Sequence, residues 1–203
     1  VLSNCAIEPE IKDLSNFLCS IGAKIVWTGR RQVKIIGIKT FKQSNYKIMF
    51  DRIEAGTMLV AAAVNQGNLK LTGIETDILK TEINVLKKIG AKIIQKKNEI
   101  IIQGNKKIKN INIKTSPYPG FPTDLQSQLM VLLCKANKKS TIKEDIFANR
   151  FQSVSELKRM DAKIEVKGNQ AIIEGNTIFK GAQVMATDLR ASASLVLAAL
   201  CAK

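Results

Sequence analysis

One segment of this chain is written three times, and that repetition limits the fold more than any other feature. Ile21-Gly22-Ala23-Lys24-Ile25, Ile89-Gly90-Ala91-Lys92-Ile93 and Met160-Asp161-Ala162-Lys163-Ile164 align without gaps, with Leu18, Leu86 and Leu157 at the same place in each copy. The copies recur 68 residues (22 to 90) and 71 residues (90 to 161) apart. A period of that length marks one supersecondary unit repeated along the chain. The local logic is shared. An amphipathic helix ends at a residue able to take the left-handed backbone conformation, and a strand begins at Ala-Lys-Ile. Asp161 replaces glycine in the third copy, and Asp is among the few other residues that tolerate that conformation. Each strand is followed by a short polar turn and a second strand, Val33-Lys34-Ile35-Ile36, Ile100-Ile101-Ile102 or Ala171-Ile172-Ile173-Glu174, so each unit predicts a hairpin.

A second triplet alternates with the first. Asp51-Arg52-Ile53-Glu54, Thr123-Asp124-Leu125-Gln126 and Thr187-Asp188-Leu189-Arg190 each open a run that is apolar nearly all round and rich in small residues. Acidic residues suit the positive end of a helix, and a helix without a wet face has to be buried. Buried helices alternating with amphipathic helices and hairpins predict an α+β or α/β fold in which sheets wrap a helical core, with a unit of about 70 residues. The stretch from Lys39 to Phe50 has no repeat partner in its helix-leading half and reads as a crossover. The expected division is therefore residues 1–48 as the end of one domain and residues 49–203 as most of another.

Composition narrows the chemistry. Histidine is absent, which excludes Ser-His-Asp and Cys-His catalysis and imidazole-bound zinc. The four cysteines, Cys5, Cys19, Cys134 and Cys201, form no CxxC pair and read as reduced thiols in a cytosolic protein. Acid-base work must rest on carboxylates, lysines or cysteines. The 32 Lys and Arg against 17 Asp and Glu give a formal charge of +15, which attracts anions. Eight of the 26 lysines fall in surface-type pairs such as Lys87-Lys88 and Lys138-Lys139, amid Ile and Asn. Few aromatics are interleaved with them, so a solvated face is favoured over a nucleic-acid footprint. No apolar run reaches membrane-spanning length and no signal peptide opens the chain, so a soluble, cytoplasmic protein with neither nucleic acid nor membrane as partner is expected.

Four strings make the reading specific: Asp51-Arg52-Ile53-Glu54-Ala55-Gly56-Thr57, Phe121-Pro122-Thr123-Asp124-Leu125-Gln126-Ser127-Gln128, Asn149-Arg150-Phe151, and the run from Gly181 to Leu195. Together, and in this order, they resemble the signature segments of the UDP-N-acetylglucosamine enolpyruvyl transferases, a resemblance that runs from Glu8 to the last residue. It implies an inside-out α/β barrel, helices inside and sheets outside, in a two-domain enzyme that closes on its substrates. The implied reaction moves the enolpyruvyl group of phosphoenolpyruvate to the 3′-hydroxyl of UDP-N-acetylglucosamine with release of phosphate, at the start of peptidoglycan synthesis. No metal or organic cofactor is implied.

By the same resemblance, Asp124 contacts the sugar hydroxyl and takes its proton, Asp188 shares in proton handling, Arg190 holds the carboxylate of phosphoenolpyruvate, and Arg150 belongs to the same subsite. Ile146 and Phe147 line the nucleotide-sugar pocket. Asp51, Arg52, Glu54, Glu8 and Glu10 support the cleft from behind. Without the resemblance, Asp124 reads as a helix cap, Asp188 and Arg190 as a surface pair, and Ile146 and Phe147 as core packing. The resemblance, laid on the triplicated scaffold, implies three acidic helix starts gathered round a common cleft. Ala148 stands where the resembled proteins carry an acidic residue, which implies weaker charge organisation around Arg150. The resembled enzymes also use an amino-terminal half, with a loop cysteine and further basic groups, that no segment here matches. The chain is therefore expected to act with that missing half as partner and to be inactive alone. The competing expectations are a sister transferase acting on shikimate 3-phosphate, and a non-catalytic basic module that binds anions or nucleic acid.

Overall fold

The computed structural model describes residues 1–186 and 188–203. Thr187, which opens the third of the acidic helix starts, lies outside the described residues. The chain separates into two compact units, one comprising Val1–Phe50 with Pro117–Pro119 and the other Asp51–Ser116 with Gly120–Lys203.

The first unit contains β1 (Leu2–Ser3), α1 (Pro9–Ser20), β2 (Lys24–Gly29) and β3 (Gln32–Ile36). Its sheet has the antiparallel order β1-β3-β2, with Leu2 opposite Val33 and Lys24 opposite Ile36. Pro9 supplies the pre-set φ of a first helical position, where its missing N–H costs nothing. This one repeat unit builds little core. Val33 is the one apolar side chain buried among its described residues, and α1 leaves Leu14 and Phe17 exposed. The amphipathic face expected of α1 is thus present but not covered by three strands.

The second unit begins with α2 (Arg52–Val64), β4 (Asn68–Thr72), a 3-10 turn at Thr76–Leu79, α3 (Lys80–Ile89), β5 (Lys92–Lys96) and β6 (Glu99–Gln103). It continues with β7 (Asn112–Lys114), a 3-10 turn at Thr123–Leu125, α4 (Gln126–Cys134), β8 (Ser140–Lys143), α5 (Ser153–Arg159), β9 (Ile164–Lys167), β10 (Gln170–Ile173) and α6 (Leu189–Leu200). One sheet runs β4-β6-β5, antiparallel throughout. The other runs β7-β8-β10-β9, with β7 parallel to β8.

The helices α2, α4 and α6 pack on one another, and each sheet lies against them, β4 and β6 on α2 and β8 and β10 on α4. Every residue of α4 is buried, as its all-apolar face requires. Its Leu129 and Leu132, and around it Leu59, Ile83, Ile100, Ile102, Ile142 and Phe179, are sealed from solvent. The α6 helix departs from the expectation of full burial, because Leu189, Val196 and Leu200 remain largely exposed. No helix among the described residues is long and apolar enough to cross a membrane.

The repeat closes in the same way three times. The backbone N–H of Ala23, Ala91 and Ala162 donates to the carbonyl of Leu18, Leu86 and Leu157 respectively, each at 3.0 Å. The intervening Gly22, Gly90 and Asp161 take φ of 106°, 114° and 69°. Asp161 thus fills the glycine position in the left-handed region, and its carboxylate pairs with Lys180 at 2.6 Å.

Candidate active site

Two of the three acidic helix starts behave as sequence alone suggests. Asp51 has extended backbone and accepts from the N–H groups of Ile53 (2.7 Å) and Glu54 (3.1 Å). Asp188 does the same with Arg190 (2.8 Å) and Ala191 (3.0 Å), using a single oxygen, Oδ1, for both. Asp124 is different. Pro122 occupies the extended position that precedes its turn, so Asp124 sits inside the turn, where its own backbone is helical and its side chain caps nothing.

Its carboxylate reaches outward instead. Oδ1 of Asp124 accepts from Nη2 of Arg150 at 2.7 Å and from Nε of Arg190 at 2.5 Å. These residues come from three separate elements: the turn before α4, the loop after β8 and the first turn of α6. The Asp124 carboxylate bonded to Arg190 holds that guanidinium above the usual arginine value, against a smaller opposing effect of burial. The three side chains are 18 to 35% exposed, enough to meet a ligand and little enough for the pairing to be weakly screened.

The cluster edges an open cavity of about 620 Å³. Asp124, Asp188, Phe147, Arg150 and Arg190 all line it, together with Ala148, Asn149, Gln152 and Leu189. Five of the six residues singled out from sequence for catalysis or substrate contact therefore share one cavity wall. Ile146 is not on that wall, although its neighbour is. Core packing does not describe either residue, since Ile146 is 36% and Phe147 54% exposed. The Phe147 ring lies under the Arg150 guanidinium at 4.8 Å, a cation–π contact. Asp188 and Arg190 are joined by no side-chain hydrogen bond among the described residues, since Nε of Arg190 bonds to Asp124 and Asp188 bonds the backbone N–H of Arg190.

The expectation that all three acidic starts meet in one cleft fails for Asp51. It is committed to its own helix and does not line the cavity. Arg52 turns into the protein, where its guanidinium lies 3.8 Å from the buried Glu82. Burial, partly offset by a backbone hydrogen bond and by Arg52, raises the Glu82 pKa. Glu54 is exposed and away from the cavity wall. Glu8 and Glu10 belong to the first unit, where Glu8 accepts from the Tyr118 N–H at 3.4 Å.

Weaker organisation around Arg150, implied by Ala148, is not found. Arg150 is held by Asp124, by the Phe147 ring and by Thr123, whose Oγ1 accepts from Nε at 3.2 Å. Sequence reasoning also missed Glu144. This residue is 2% exposed at the end of β8 and accepts from the Thr123 hydroxyl at 2.8 Å. The available signal was a carboxylate directly after a buried strand, which needs donors. Among the cysteines, burial pushes the Cys134 thiol up to about 12 and also raises that of Cys201. Neither is an activated nucleophile.

The sequence profile of the EPSP synthase (3-phosphoshikimate 1-carboxyvinyltransferase) family matches residues 1–203. The chain is 68% identical over 202 residues to the UDP-N-acetylglucosamine 1-carboxyvinyltransferase of Pelagibacter ubique (strain HTCC1062) and 48% identical to that of Geotalea uraniireducens (strain Rf4). It is covered completely in both comparisons but spans only 48% of either relative, about half their length. Among solved structures it is similar to the enolpyruvyl transferase NikO from Streptomyces tendae, with a TM-score of 0.89 at 24% identity over 99% of this chain and 48% of that one. An EPSP synthase from Acinetobacter baumannii gives a TM-score of 0.67 at 19% identity over 93% of this chain and 47% of that one. The fold is the inside-out α/β arrangement of these transferases.

Proposed function

The chain belongs to the EPSP synthase family, and from that premise we propose that it forms about half of a UDP-N-acetylglucosamine 1-carboxyvinyltransferase. Residues 1–48 are read as the end of one transferase domain and 49–203 as most of the other. The remaining length corresponds to the half of the relatives that this chain does not span, and that half is the partner the chain acts with. The choice of sugar nucleotide over shikimate 3-phosphate as acceptor rests on the two named relatives. Both substrates are charged, water-soluble metabolites, which suits a cytoplasmic enzyme.

One observation supports this reading above the others: the carboxylate of Asp124 lies between two guanidiniums on an open cavity wall. A guanidinium is a planar fork suited to carboxylates, so Arg190, assisted by Arg150, binds the carboxylate of phosphoenolpyruvate. In the structure Asp124 holds that position. An arriving substrate carboxylate competes for the two forks, and the freed Asp124 becomes available to a hydroxyl.

Asp124 then accepts the proton of the sugar 3′-hydroxyl as the hydroxyl oxygen bonds to carbon 2 of phosphoenolpyruvate, while carbon 3 gains a proton from an acid supplied by the half that this chain does not span. Loss of that carbon-3 proton and cleavage of the bond between carbon 2 and the phosphate oxygen give the enolpyruvyl ether and inorganic phosphate. The second oxygen of Asp188 has no hydrogen-bond partner among the described residues, which leaves it free for proton handling beside the cavity. The reaction needs no cofactor.

The test exchanges this chain for the matching 202 residues of the Pelagibacter ubique relative and measures phosphate release from phosphoenolpyruvate. Release with UDP-N-acetylglucosamine, and none with shikimate 3-phosphate, is the expected result. Release with shikimate 3-phosphate alone would overturn the choice of acceptor, and a folded chimera inert with both would overturn the reading as a whole.

A further inference from the structure

We propose that Glu144 is a positioning residue that sets the Arg150 guanidinium through the hydroxyl of Thr123, an inference that rests on the reading of Arg150 as an anion-binding group. The argument begins with burial. A carboxylate 2% exposed at the end of β8 must be satisfied by donors, and Glu144 has three. Its Oε1 accepts from the N–H groups of Ile146 (2.8 Å) and Phe147 (3.1 Å), and its Oε2 accepts from the Thr123 hydroxyl (2.8 Å).

The direction of the relay is fixed by chemistry. A guanidinium only donates and an ionised carboxylate only accepts, so a hydroxyl between them must donate to one and accept from the other. Thr123 gives its single hydrogen to Glu144, which turns its lone pairs toward Nε of Arg150 at 3.2 Å. Glu144 acts on Arg150 by a second route as well. By holding the backbone at Ile146 and Phe147 it places the Phe147 ring, over which the guanidinium lies at 4.8 Å. With Nε on Thr123 and Nη2 on Asp124, Nη1 has no hydrogen-bond partner among the described residues and faces no competitor for a ligand there. Glu144 thus supplies the carboxylate that orders this loop, where Ala148 offers none.

The relay is tested on the 203-residue chain, labelled with ¹⁵N-arginine, through the rate at which the Arg150 Nε–H exchanges with solvent. Glu144→Gln keeps the shape but puts an amide donor opposite Thr123, which takes away the acceptor of the hydroxyl hydrogen and so the group that aims the lone pairs at Nε of Arg150. Exchange is expected to quicken about tenfold in Glu144→Gln and in Thr123→Val. Thr123→Ser, which keeps the hydroxyl, is expected to exchange as the parent chain does, and Glu144→Gln is expected to add nothing in a Thr123→Val background. An unchanged rate in Glu144→Gln, or effects that multiply in the double variant, would overturn the relay. In the chimera, Glu144→Gln is expected to raise KM for phosphoenolpyruvate about tenfold with kcat changed less than about threefold. A chimera without turnover would count against the proposed function, while the exchange rates would still decide the role of Glu144.

Discussion

Asp51 and Asp124 stand at equivalent points of successive repeat units, yet they do opposite things with the same carboxylate. Asp51 points back at its own helix and satisfies two N–H groups there. Asp124 points away from its helix and takes two guanidiniums from other elements. The difference comes from an offset of two residues. Where α2 has Asp51 at the extended capping position, the turn before α4 has Pro122 there, and proline has no side-chain acceptor. A helix start left uncapped by its aspartate is a local loss. It is offset by a carboxylate freed for a cavity wall.

Asp188 stands between the two cases, since it caps α6 with one oxygen while lining the same cavity as Asp124. Whether it groups with Asp51 or with Asp124 is a matter for substitution. All activity readings below refer to the chimera with the Pelagibacter ubique relative, and all stability readings to urea denaturation of the 203-residue chain.

The largest effect is expected from Arg190→Lys, which keeps the charge but removes the fork. It should lower kcat/KM for phosphoenolpyruvate about a hundredfold. A loss of less than about threefold would place Arg190 with the structural groups and break the contrast. Next is Asp188→Asn. Asparagine caps as well as aspartate, so stability should change by less than about 0.5 kcal/mol while turnover falls about tenfold. If turnover is unchanged, Asp188 belongs with Asp51. For Asp51→Ala the expected cost is about 1 kcal/mol of stability with kcat/KM within about twofold of the parent.

The smallest effect concerns Glu82, the partner of Arg52 beneath the Asp51 end of α2. Burial raises its pKa above the ordinary 4.5. A raised carboxylate pKa means that its stabilising contribution is complete below about 4.5 and is lost as pH rises through the folded-state value. Glu82→Gln should flatten that part of the stability profile without altering the pH dependence of turnover. A change in the pH–rate profile would bring the Asp51 end into the chemistry.

The scaffold was largely legible in the sequence because it is local and repeated. Gly22, Gly90 and Asp161 announce helix ends that need only their own neighbours, and the hairpins follow from period-two patterning. The all-apolar run of α4 likewise specified a central helix. What the chain alone did not disclose is non-local. Asp124 meets Arg150 and Arg190 across 26 and 66 residues of sequence, and nothing in the spacing of those residues reports the meeting. Propensity rules favoured a cap for Asp124, and the fixed order of the signature strings pointed elsewhere. Glu144 was missed because a lone acid after a strand has no periodicity to mark it. The exposed Leu189, Val196 and Leu200 of α6 show the opposite error, since an apolar composition states what a helix can bury and not what covers it.

The most direct measurement is made on Asp124→Asn in the chimera, with turnover, phosphoenolpyruvate affinity and urea stability read on the same preparation. If Asp124 holds the arginine pair until substrate arrives and then takes the hydroxyl proton, turnover falls about a hundredfold or more. In that case phosphoenolpyruvate binds at least as tightly as before, because the two forks have lost their resident carboxylate, and the fold is unchanged. Near-parental turnover, or a loss of activity that merely follows a loss of stability, would contradict the account.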